Sequence, residues 1–162
     1  MGITHIVLKP NDPFLQSAIE MIHAKTKTLG EKYLRGKYGG GFPAYTENGV
    51  YQLREYTWWT AGFYTGLNYA CYQMTGDDYI LRVARETSRA LQRTIEGDKQ
   101  AYWHDIGFTM LGSFWKEYQL TGDETAKNRI IRGGDALMKL KKMPGTLRHG
   151  RAEGHTGCLP IP

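Results

Sequence analysis

One stretch of this chain occurs twice, and the repetition restricts the possible folds more than any other feature. Tyr72-Gln73-Met74-Thr75-Gly76-Asp77-Asp78 returns as Tyr118-Gln119-Leu120-Thr121-Gly122-Asp123-Glu124, 46 residues later, and Ala90-Leu91 returns as Ala136-Leu137 at the same offset. Upstream, Gly62-Phe63 returns as Gly107-Phe108 at an offset of 45. Both copies of Thr-Gly-Asp sit between segments of helical pattern. The glycine supplies the left-handed conformation that closes a helix, and the aspartate after it offers an N-cap oxygen to the next. Each unit is therefore a helical hairpin. Hairpins repeated at this period stack into an open solenoid or a closed ring, so the chain is all-α.

The remaining elements follow in order. Leu15, Ile19, Ile22 and Leu29 keep roughly helical spacing, which predicts a first helix from Phe14 to about Leu34, with Asn11 or Asp12 as cap and Pro13 at its first position. Gly36, Gly39, Gly40, Gly41 and Pro43 then form a loop, and the polar and aromatic residues 44–57 read as an extended loop. Helices are expected from about Trp59 to Met74, Asp77 to Ile95, Asp105 to Leu120 and Asp123 to Leu140. Beyond that the pattern fails. Residues 143–162 contain Pro144, Pro160 and Pro162 and almost no aliphatic periodicity, so they are expected to be an irregular basic tail outside the fold's own pattern.

Composition removes several function classes. A chain of 162 residues with 41% hydrophobic and 23% charged residues fits one soluble globular domain. No run of about eighteen apolar residues marks a membrane span, and Met1 to Phe14 holds no apolar signal region. Cys71 and Cys158 give neither a disulfide framework nor a zinc spacing, so a cytoplasmic protein is expected. The net charge of +5 is local: residues 1–138 hold 16 Lys or Arg against 15 Asp or Glu, and residues 139–162 hold five against Glu153 alone. No basic face of the kind nucleic acid needs is visible.

The residues with chemical potential gather at Tyr102-Trp103-His104-Asp105-Ile106-Gly107-Phe108. Asp105 opens an apolar helix, and the repeat sets Thr60 opposite it. Both are favoured N-caps, so Asp105 reads first as a cap and second as a catalytic carboxylate. A capping carboxylate accepts backbone N–H bonds that lower its pKa and make it a poor general acid. His104 is either a loop histidine bonded to backbone or a donor to a carboxylate or hydroxyl. Of Trp58 and Trp59, one is expected in the core, since a buried indole supplies large apolar area, and the other is free to stack on a sugar. Asp77-Asp78 and Asp123-Glu124 are helix starts favoured by the helix dipole. Gly39-Gly40-Gly41 lacks the Lys-Ser/Thr ending of a phosphate loop.

Trp59-Thr60-Ala61-Gly62-Phe63 with Gly66, the Tyr72 to Asp77 turn, and His104-Asp105-Ile106-Gly107-Phe108 together resemble the unsaturated glucuronyl hydrolases, glycoside hydrolase family 88. The resemblance covers roughly residues 14 to 140, about the N-terminal third of a full-length member. It implies an (α/α)6 barrel with the site at the mouth of the inner helices, here incomplete: about five helices stand where the ring needs twelve. It implies residues 1–142 as the N-terminal part of the glycosidase domain and 143–162 as the tail.

The implied substrate is an oligosaccharide with a 4,5-unsaturated uronic acid at its non-reducing end, as polysaccharide lyases release. Unlike paired-carboxylate hydrolysis, the reaction protonates C4 of the vinyl ether, adds water at C5, and lets the hemiketal collapse. No metal or cofactor is implied. By position, Asp105 matches the first of the family's two important aspartates, Trp59 its sugar-contacting tryptophan, and His104 the edge of the same pocket. The second aspartate, assigned as general acid/base, belongs to a later inner helix that this chain does not reach, and Asp135 falls in an outer helix. A truncated enzyme is therefore expected, with exposed inner faces that favour self-association. The competing readings are a non-catalytic helical-repeat binding scaffold and an unsaturated rhamnogalacturonyl hydrolase.

Overall fold

The structure, a computed structural model, describes residues 11–96 and 105–139 and, as backbone, residues 141–143, 146–148 and 158–160. Helix α1 spans Pro13–Leu34. The Asp12 carboxylate accepts from the N–H groups of Phe14 and Leu15, and Pro13 occupies the first position, where a missing N–H leaves no partner wanting.

Strands β1 (Phe42–Glu47) and β2 (Val50–Arg54) follow as an antiparallel hairpin. The sequence reading of 44–57 as an extended loop is corrected here. Asn48 and Gly49 both adopt positive φ, 49° and 76°, the conformation that an Asn-Gly pair supplies to a tight hairpin turn.

The repeated units come next: α2 (Ala61–Thr75), α3 (Asp78–Glu96), α4 (Ile106–Met110), a π turn (Leu111–Trp115), α5 (Lys116–Thr121) and α6 (Glu124–Met138). Their turns match atom for atom. Gly76 and Gly122 stand at φ 69° and 68°, and their N–H groups bond to the Tyr72 and Tyr118 carbonyls, each at 2.8 Å. The Thr75 and Thr121 hydroxyls donate to the carbonyls of Cys71 and Glu117 and accept from the N–H of Asp77 and Asp123. The two aspartates in turn accept from Tyr79 and Thr125, each at 2.8 Å. The copies differ at the π turn. The repeat offset grows from 45 to 46 between Phe108 and Tyr118, and Leu111–Trp115 lies between them. A π turn holds one residue more than an α turn, so the extra residue widens the helix and leaves both hairpin turns in register.

The helices form two layers. Helices α2 and α4–α5 lie side by side as the inner layer, and α1, α3 and α6 pack behind them. The inner pair touches backbone to backbone. A Cβ on Gly66 would come within 2.7 Å of the Gly112 carbonyl oxygen, and one on Gly112 within 2.8 Å of that of Gly62. Between the layers, Phe42, Tyr64, Leu91, Ile106, Met110 and Phe114 form one buried cluster, and Tyr69, Cys71, Ile80, Ala84 and Leu120 form a second. Ser88 on α3 donates to the buried Glu117 carboxylate on α5 at 2.6 Å, which ties the layers across the core. Burial and then the charge of Glu117 push the nearby Tyr69 hydroxyl well above its usual pKa.

The α2–α3 turn is also bound to α1. His23 Nε2 lies 2.7 Å and Lys27 Nζ 3.5 Å from Asp77 Oδ2. Burial alone would raise the Asp77 carboxyl; the hydrogen bonds from His23 and the Tyr79 N–H, with the Lys27 charge, outweigh it and hold the carboxyl below its usual range. A carboxyl depressed in the folded state stabilises above its unfolded pKa, and that contribution is lost as pH falls through the folded value. Asp77→Asn is accordingly expected to lower the thermal midpoint near neutral pH. The difference from wild type should close below about pH 4, where the unfolded carboxyl protonates. A constant gap across the pH range would show that the ionic pairing contributes nothing.

Residues 143–162, expected to be irregular, contribute to three short strands, the first of which begins just before them: β3 (Lys141–Met143), β4 (Thr146–Arg148) and β5 (Cys158–Pro160), paired antiparallel in that order. Three-residue strands are too short for alternation to register in a sequence.

Candidate active site at the mouth of the inner helices

Helices α2 and α4 begin next to each other, so the residues that open them share one mouth. Thr60 and Asp105 hold equivalent places, with φ and ψ of −86° and −4° against −76° and −4°. Neither side chain makes a cap hydrogen bond to its helix. The preferred sequence reading of Asp105 as a side-chain cap is therefore corrected. With ψ near zero the residue is already in a helical turn, and its side chain is not aimed along the first-turn N–H groups as an extended cap's is. Asp12 and Asp123, at ψ 119° and 109°, do cap in that way. The Thr60 hydroxyl is buried with no hydrogen-bond partner among the described residues.

The tryptophans depart from expectation in one respect: neither is in the core. Trp58 is 38% and Trp59 41% exposed. The consecutive indoles face different neighbours. Trp59 meets Phe63 of α2 edge-on at 5.9 Å and Phe108 of α4 at 6.1 Å, and the two phenylalanines lie 5.6 Å apart. The Gly-Phe repeat thus has a purpose that its sequence pattern alone does not reveal. Gly62 lets the inner helices close up, whereas a Cβ on Gly107 would meet nothing within 4 Å, and each phenylalanine builds one wall of a half-exposed aromatic patch. The Phe108 N–H bonds to the Asp105 carbonyl at 2.9 Å, so Asp105 and the ring that Trp59 touches share one helical turn. Trp58 turns instead toward Arg54 of β2.

His104, with Tyr102 and Trp103, lies outside the described residues. Asp135 is exposed on α6, in the outer layer. Among the described residues no three His, Cys, Asp or Glu come together as a metal ion requires. None of the described helices is long and apolar enough to cross a membrane. Exposed apolar side chains continue down the inner helices as Phe63, Leu67, Phe108, Leu111 and Trp115, at spacings that keep them on one face.

No family model matches this sequence. It is 30% identical over 127 residues to the unsaturated chondroitin disaccharide hydrolase of Streptococcus agalactiae serotype III (strain NEM316), covering 77% of this chain and 32% of that protein. It is 30% identical over 104 residues to the unsaturated glucuronyl hydrolase of Bacillus sp. (strain GL1), covering 64% and 28%. The chain spans about a third of the length of these curated relatives. In structure it superposes on unsaturated glucuronyl hydrolase from Streptococcus agalactiae with a TM-score of 0.67 at 24% identity, over 93% of this chain and 40% of that one. An aspartate-to-asparagine mutant of an enzyme from the same species, solved with dGlcA-GalNAc6S, matches at TM-score 0.61 and 27% identity, over 86% and 39%. The hairpins are those of an incomplete (α/α)6 barrel.

Proposed function

We infer that this chain, similar in sequence and fold to about a third of an unsaturated glucuronyl hydrolase, carries one side of a glycoside hydrolase site for unsaturated glucuronyl oligosaccharides. The observation that supports this most is the shared mouth, where the Asp105 carboxylate and the half-exposed Trp59 indole stand at the starts of adjacent inner helices. Trp59 offers the apolar face on which a sugar ring stacks, held upright by Phe63 and Phe108. Asp105 is the catalytic carboxylate of this part of the site, and His104 belongs to the same rim.

The reaction hydrates a vinyl ether. A proton is added to C4 of the unsaturated ring, the positive charge at C5 is taken by water, and the resulting hemiketal opens to release the sugar. A carboxylate beside C4 and C5 stabilises that developing charge and orients the water. The second aspartate of the family, its general acid/base, belongs to an inner helix beyond the two described. Residues 1–142 are accordingly the first part of the ring domain, and residues 143–162 a separate basic tail. The location proposed is cytoplasmic, which fractionation of the source cells would check.

Binding tests the reading on the chain as it stands. Titration with an unsaturated glucuronyl disaccharide is expected to change the tryptophan fluorescence, with Trp59→Ala removing the response. A saturated disaccharide of the same sugars, whose ring carries an added C4 hydroxyl, should bind about tenfold more weakly, the scale of one polar group left unsatisfied in the site. Equal responses to both sugars would remove the specificity that this reading assigns.

A further inference from the structure

Arg54 closes β2 beside the mouth, and the site described so far makes no use of it. Its guanidinium lies 5.2 Å from the centre of the Tyr45 ring and 5.6 Å from that of Trp58. One terminal nitrogen donates to the Tyr45 hydroxyl at 2.6 Å and the other to the Leu53 carbonyl at 3.3 Å. A guanidinium carries five N–H donors in a planar fork, so donors remain after these two bonds. The ion pairs of the described residues join His23 and Lys27 to Asp77, Arg89 to Glu86, Lys127 to Glu124 and Arg132 to Glu96. Arg54 has no carboxylate partner among them. It is a half-exposed cation, held by aromatic contacts and without a carboxylate partner among the described residues.

Its position follows from the backbone. The Trp58 N–H bonds to the Glu55 carbonyl at 2.9 Å, and this tight turn folds Trp58 back onto Arg54. The next residue, Trp59, packs instead on Phe63 and Phe108. The two consecutive indoles thus separate an anion-seeking group from a sugar-stacking face along one lip. Holding a cation by rings and a phenol restrains its rotamers before any ligand arrives, and a planar fork suits carboxylate and sulfate oxygens in pairs.

We propose that Arg54, held by Tyr45 and Trp58, is the subsite for an oxyanion, either a carboxylate or a sulfate ester, on an acidic oligosaccharide whose ring stacks at Trp59. This rests on the reading of the mouth as a sugar site. Arg54 is then a specificity residue, setting which charged saccharides bind.

The test titrates the whole chain with unsaturated chondroitin disaccharide, with and without a 6-sulfate, and with the saturated 6-sulfated sugar, comparing wild type with Arg54→Gln. The expected result is a loss of affinity of about tenfold or more in the variant, the scale of a charge-assisted bond, with wild-type affinity falling as salt rises. A loss confined to the sulfated sugars assigns the subsite to sulfate, and an equal loss for both unsaturated sugars assigns it to carboxylate. Unchanged affinity in Arg54→Gln overturns the proposal and leaves the hydrolase reading standing. Arg54-dependent binding with no preference for the unsaturated ring does the reverse. Absence of binding by wild type to any of the three removes both. Arg54→Lys guards against a folding defect, because it keeps the charge without the fork: it should bind more weakly than wild type and better than Arg54→Gln. A lysine variant equal to wild type, with no salt dependence, also overturns the proposal.

Discussion

Gly62→Ala is expected to destabilise the chain by about 3 kcal/mol, the upper range for overpacking a closed interior, and to lower its thermal midpoint by about 10 °C. The added Cβ would lie 2.6 Å from the Thr109 Cα, 2.9 Å from the Phe108 carbonyl oxygen and 3.1 Å from that of Thr109. All three are backbone atoms, so no side chain can rotate away, and relief requires α2 and α4 to move apart. Such a shift would part Phe63 from Phe108 and dissolve the aromatic patch under Trp59, so sugar binding should fall with stability. Gly134→Ala on α6 is the control, because its Cβ would meet nothing within 4 Å. In a helix interior that change is expected to stabilise by about 0.5–1 kcal/mol. Thermal unfolding of both variants decides the matter: if Gly62→Ala melts with wild type, the inner helices are not in backbone contact.

Asp105→Asn is expected to lower kcat by about 10²–10³-fold, the usual cost of removing one group that stabilises charge in the transition state. The assay needs a preparation that contains the remaining hairpins of the ring, with turnover followed as loss of the ultraviolet absorbance of the C4=C5 double bond. KM should change little, since the amide keeps the shape of the carboxylate and loses only its charge and basicity. The substitution removes no cap bond from α4, so the loss should appear without a comparable fall in helix content. Turnover within a few-fold of wild type would exclude Asp105 from the chemistry. A KM increase at constant kcat would make it a binding group.

Some of the site is legible in the sequence. Asp105 and Thr60 were placed as equivalents by the repeat alone, because Gly62-Phe63 and Gly107-Phe108 align the two helix starts. Trp59 was singled out by its place in the resemblance, and the structure sets its ring against the helix that Asp105 opens. The use of the Asp105 side chain was not legible. Aspartate is a favoured cap, yet capping requires an extended backbone at that residue, and a composition-based preference does not report ψ. The hairpin at 42–54 was missed although Asn48-Gly49 is a strong turn signal. Short strands flanked by glycine show little periodicity, and Arg54, which the hairpin positions, was missed with it.

The helical hairpins, the position of each turn and the family resemblance are all legible in the chain, because turns and periodicity are local properties. The 45-to-46 slip between the copies was visible too, though its meaning was not. Packing in three dimensions adds that a π turn absorbs the added residue, that glycines bring the inner helices into backbone contact, and that the two tryptophans take different neighbours. Those outcomes depend on the distance between segments far apart in sequence, which close packing sets and no single segment encodes.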